Sequence, residues 1–162
     1  MFGQDSKHRD KKTPLSDAQK QAIADWLAKM LAAQMGLVPP SDVEVTEVEA
    51  RRGEINGKAL GYLYGFVDAA LQSMGQDIAD VPVGVPVLYH VLRQLFPGHE
   101  SGYMEFFASH DRDNPVTLGM MEGGQQFIDY IANPRPPGYP MGFARSISEG
   151  RHIRETAKSD EI

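Results

Sequence analysis

The chain carries five histidines and no cysteine. Disulfides, thiolate catalysis and cysteine-bound zinc are therefore excluded, and any metal would have to sit on imidazole and carboxylate. Such groups are densest between residues 99 and 113. His99 and Glu100 open that stretch, and His110, Asp111 and Asp113 close it. Nitrogen and oxygen donors of this kind suit a divalent cation. Their spacing does not, because His99 and His110 would lie about 16 Å apart along one helix. One ion could join them only if the segment bent. We expect no metal and no cofactor. We keep His99, Glu100 and His110 as the residues of an alternative reading, a metal-dependent or acid/base enzyme.

The remaining chemical patterns are thinner. Glu149 and His152 have the Glu-x-x-His spacing of di-iron helical bundles. Such sites need two of these motifs and two further glutamates, and here there is one. Asp111-Arg112-Asp113-Asn114 resembles the start of a calcium loop but lacks its glycine and closing glutamate in register. Gly123-Gly124 follows no strand, so it is not a phosphate-binding turn. His90 lies beside Arg93 and Gln94, on the polar side of its own stretch. Asp68 is the carboxylate to watch, because it sits mid-helix on a face of small residues. If that face is covered, the carboxylate needs a partner, with Lys58, Arg93 or Tyr64 as possibilities. Buried and unpaired, it would mark a functional site.

The strongest pattern is one of packing. Gly57, Gly61, Gly65, Ala69 and Ser73 recur at every fourth position. Spacing of four makes one stripe on a helix from about Asn56 to Met74. Each interior glycine costs about 1 kcal/mol of helix propensity relative to alanine. A close backbone approach by another helix is the usual offset. Leu60, Leu63, Tyr64, Val67, Ala70, Leu71 and Met74 form a separate, bulky apolar face. Gly119 and Gly123 repeat the spacing in a second helical stretch, which makes that stretch a candidate partner. The alternative is that Gly57, Gly61, Gly65 and Asp68 are kept flat for a partner chain.

Other elements follow from caps and breaks. Leu15-Ser16-Asp17-Ala18-Gln19 has capping-box form with a staple, and starts a helix that places Ile23, Trp26, Leu27, Met30 and Leu31 on one face. It should end near Gly36. Residues 42–50 could be helix or strand; their cap favours helix. Gly75 should stop the glycine helix, and Pro86 should open the next, with Val87, Leu88, Val91, Leu92 and Leu95 inward. A shorter helix covers about 99–110, and another runs from Asn114 to about Ala132.

These elements predict an all-α chain, a small helical bundle of five to six helices with disordered or extended N- and C-terminal tails. Residues 1–14 read as a flexible arm, 15–132 as the helical domain, and 133–162 as a proline-rich arm with a polar tail. Between Leu15 and Ala132 there are seven basic residues against sixteen acidic ones. Such a surface repels phosphate backbones, so nucleic acid is not an expected partner. No run of about 20 apolar residues exists, so no membrane span is expected. The opening MFGQDSKHRDKKTP has no hydrophobic segment, which argues against a secretory signal and for a cytoplasmic protein. We expect a protein–protein interaction or accessory domain, a homo-oligomer or the subunit of a protein partner, associating through the small-residue face.

Overall fold

The computed structural model describes residues 14–35, 57–110, 112–133 and 140–147. They form α1 (Asp17–Met35), α2 (Gly57–Ser73), α3 (Val81–Leu95), α4 (Glu100–His110) and α5 (Asn114–Ala132). A sixth, short helix, α6, covers 142–147. The described residues contain no strand, and none of their helices is long and apolar enough to cross a membrane. The all-α expectation holds. The stretch 42–50, the arm 1–13 and the tail from 148 lie outside the described residues.

α2 is the central element. From Ala59 to Leu71 only Tyr64 and Asp68 escape full burial. Its bulky face, including Leu60, Leu63, Val67 and Leu71, joins the core contributed by α1 and α3. Its small-residue face packs on α5, the most extensive helix pair of the fold. Gly61 meets the backbone of Val116, and Gly65 that of Met120. The contacts advance in the same direction on both helices, so α2 and α5 run parallel. Gly119 and Gly123 answer from α5 against the backbone of Lys58 and Tyr62. In each case a carbonyl oxygen of the facing helix stands where a side-chain Cβ would go. The close approach offsets the propensity cost through backbone-to-backbone contact.

The helix ends follow local chemistry. The Ser16 hydroxyl accepts from the Gln19 N–H at 3.1 Å, and the Gln19 side chain accepts from the Ser16 N–H at 2.8 Å. That is the reciprocal capping box. At the end of α2, Gly75 has φ +72°. The Gln76 N–H reaches the Leu71 carbonyl and the Gly75 N–H reaches that of Gln72. This pair of bonds is a Schellman stop.

Three expectations need correction. α3 opens at Val81, not Pro86: Asp80 holds the N-cap position without a side-chain bond, Pro82 lies in the first turn and Pro86 sits inside. The earlier start buries Val83 and Gly84 on the same stripe as Val87, Leu88, Val91 and Leu92. The proline costs one helical hydrogen bond and the stripe offsets it. α1 is rotated from the face read by bulk. Ala24, Leu27, Ala28, Leu31 and Gln34 are buried, whereas Trp26 stays 37% exposed. Finally, residues 140–147 are part of the core. Phe143, Ala144 and Ile147 are buried with the main cluster, so the helical domain extends past a boundary at 132.

Candidate interaction surface

Of the residues proposed for metal chemistry, Asp111, Glu149 and His152 lie outside the described residues. Among the described residues no group of three or more His, Asp or Glu could hold an ion. The His99 carbonyl accepts from the Tyr103 N–H, which puts His99 at the head of α4. Glu100 is in the first turn of that helix. Hydrogen bonds from its own backbone N–H, and then from Gly98, hold its carboxyl below the usual range, with Arg93 adding to the effect. This is the behaviour of a carboxylate at a helix N-terminus. His110 closes α4 and its Nδ1 lies 2.9 Å from Asp113 across the turn to α5. His90 lines a shallow surface hollow with Asp25, Arg93 and Gln94. Asp68 is half-buried and accepts from Gln72 on its own helix at 3.0 Å. The glycines named as an interaction face, Gly61 and Gly65 above all, are occupied by α5 of the same chain.

A buried polar network gathers where α1, α2, α5 and α6 meet. The Tyr62 hydroxyl donates to Gln126 Oε1 at 2.7 Å and accepts from Gln34 Nε2 at 3.3 Å. Gln126 Oε1 also accepts the Met141 and Gly142 N–H groups at 3.1 and 2.8 Å. Gln34 Oε1 accepts the Phe143 N–H at 3.0 Å. Two glutamines from distant helices thus satisfy three N–H groups at the start of α6, which its own turn leaves orphaned. Burial raises the Tyr62 pKa above the ordinary tyrosine value, and Glu122 adds to the rise. Glu122 is itself flanked by Lys58 and Arg145, each at 3.7 Å. The network anchors α6 to α1, α2 and α5. Beside it lies an apolar cleft of about 490 Å³ lined by Trp26, Met30, Ala33, Tyr130, Pro140 and Met141.

The outward face of α5 is the feature that the sequence reading missed. Its inward face is Val116, Gly119, Gly123 and Phe127. Its outward face carries Leu118, Met121, Ile128 and Ile131, which are 58, 68, 56 and 49% exposed. The helix is therefore small inside and bulky outside. Glycines facing α2 account for the first half of that inversion; nothing among the described residues covers the second. The signal was present as spacing: Leu118, Met121, Gln125, Ile128 and Ala132 follow one another at three, four, three and four. Beside Val116 and Phe127, Ile128 and Ile131 read from sequence as inward residues, and the structure turns both to solvent. No protein-family model, curated protein or solved structure matches the chain.

Proposed function

We propose that the chain is a helical association domain of the cytoplasm that joins copies of itself through the outward face of α5. The observation that carries this reading is the exposure of Leu118, Met121 and Ile128 opposite the glycines. Contiguous large apolar side chains on a solvent face mark interaction surfaces in soluble domains. The three-four spacing is that of a helix seam that buries side chains against another helix. The glycine stripe takes no part in this association, because α5 already fills it.

Sedimentation velocity over a wide concentration range tests the reading. The full chain should sediment as a dimer that dissociates on dilution. Leu118→Asp with Ile128→Asp should sediment as a monomer with an unchanged far-UV spectrum, since both side chains point away from the core. A wild-type chain that stays monomeric at every concentration, or a dimer untouched by the double substitution, would remove it.

A further inference from the structure

We infer that the cleft between α1, α5 and α6 binds a small monocarboxylic acid with an alkyl body, its carboxylate paired to Lys29. The inference stands apart from the self-association proposed above. One face of α1 forms the floor: Trp26, Lys29, Met30 and Ala33 follow one another at helical spacing. Tyr130, in the last turn of α5, and Pro140 and Met141, at the head of α6, complete the lining. The volume of about 490 Å³ falls within the range of about 300–1,000 Å³ of small-molecule sites. From Trp26 to Ala33 the helix advances about 10 Å, the length of an alkyl chain of roughly nine carbons.

The lining is held in place by the fold itself. The Trp26 ring packs edge-on against buried Phe127, with centroids 5.9 Å apart, while the residue stays exposed. Gln126 fixes the Met141 and Gly142 N–H groups, and Gln34 fixes that of Phe143. Gln34 is buried and lines the cleft as well. Buried amides thus position the head of α6, as a supporting shell positions a binding site. The side chains then select the ligand. Met30 and Met141 are flexible thioethers that mould to an alkyl chain. Lys29 is the only charged side chain among the described residues that line the cleft, and it is exposed. It takes part in none of their ion pairs. An ammonium beside an apolar cleft attracts an anion. It also repels the cations that the rings of Trp26 and Tyr130 would otherwise draw.

Trp26 is the only tryptophan of the chain, so its emission reports on the cleft directly. The full chain is titrated with sodium decanoate and followed by that emission and by calorimetry. A saturable blue shift with one site per chain is expected. Lys29→Gln should weaken decanoate about two- to fivefold, the range of an exposed ion pair, and leave 1-decanol unchanged. Decyltrimethylammonium should bind more weakly than decanoate. Ala33→Phe, at an exposed position of α1, should fill the cleft and lower affinity about tenfold or more with an unchanged far-UV spectrum. Leu118→Asp with Ile128→Asp should bind decanoate as the wild type does. No saturable change in emission or heat up to about 1 mM decanoate would overturn the site. Affinity untouched by Ala33→Phe, or lost with the α5 double substitution, would place the ligand elsewhere and overturn it too. Equal affinity for decanoate and decyltrimethylammonium, or a Lys29→Gln chain as tight as the wild type, would overturn the carboxylate pairing.

Discussion

The carbonyl oxygen of Val116 occupies the space that a Cβ would need at Gly61. The same relation links Gly65 to Met120 four residues on. Two helices from distant parts of the chain are thus locked backbone to backbone, with register set by glycine.

That relation makes glycine replacement a directional test. Gly61→Ala and Gly65→Ala must each push α2 and α5 apart. Overpacking of this kind costs about 1–3 kcal/mol, and contact with backbone, which cannot rotate away, puts these at the upper end or beyond. Gly102→Ala is the control: it sits within α4 with nothing within 4 Å of a would-be Cβ. It should stabilise by about 1 kcal/mol through helix propensity. Urea denaturation measures both. Equal, near-zero effects at Gly61 and Gly102 would refute the seam.

The polar anchor of α6 makes a second prediction. Gln126→Leu leaves the Met141 and Gly142 N–H groups and the Tyr62 hydroxyl without their shared acceptor. The expected cost is about 1–3 kcal/mol for each group that stays buried and unpaired. Phe143→Ala should cost about 3–5 kcal/mol, as for other buried aromatics. Limited proteolysis near residue 140 should accelerate in both. A chain ending at 139 with wild-type stability would show that α6 is not part of the core.

Tyr62 predicts behaviour at high pH. Burial raises its folded-state pKa above the value of about 10 that it has in the unfolded chain. Its contribution is fully present below pH 10 and is lost as pH rises from there through the folded pKa, because the unfolded chain releases the proton first. Stability should fall with pH above about 10, and Tyr62→Phe should flatten that fall. Identical alkaline slopes in the two proteins would show that the hydroxyl titrates freely.

The dispersal of the histidines predicts metal content. Tag-free protein should carry less than one zinc, iron or manganese per chain. The triple variant His99→Ala, Glu100→Gln, His110→Ala should leave that content unchanged. Stoichiometric metal lost in the triple variant, by elemental analysis, would restore the enzyme reading.

Much of the architecture was legible in the residues because it rests on local rules. Ser16 and Gln19 cap α1 through atoms three residues apart. Gly75 ends α2 because its own backbone takes a positive φ. The glycine period in α2 and its echo at Gly119 and Gly123 announced a close pair, because only a close approach repays that many helix-breaking residues. α3 was misplaced because Pro82 and Pro86 both suit a first turn, and burial of Val83 chose between them.

What the tertiary structure alone decided involves partners far apart in sequence. Nothing near Gln34 or Gln126 signals that both reach Tyr62 and the start of α6, since a glutamine reads the same at a surface and in a network. Phe143 follows a proline-rich stretch whose composition says tail, yet it is buried because α1, α2 and α5 leave a slot beside Tyr62. The glycine stripe fixed that something packs closely on α2; only the fold showed that it is α5 of the same chain. By taking up the small face of α5, that packing turned Leu118, Met121 and Ile128 outward. An apolar spacing tells which residues share a side of a helix, and the neighbours decide whether that side is core or surface.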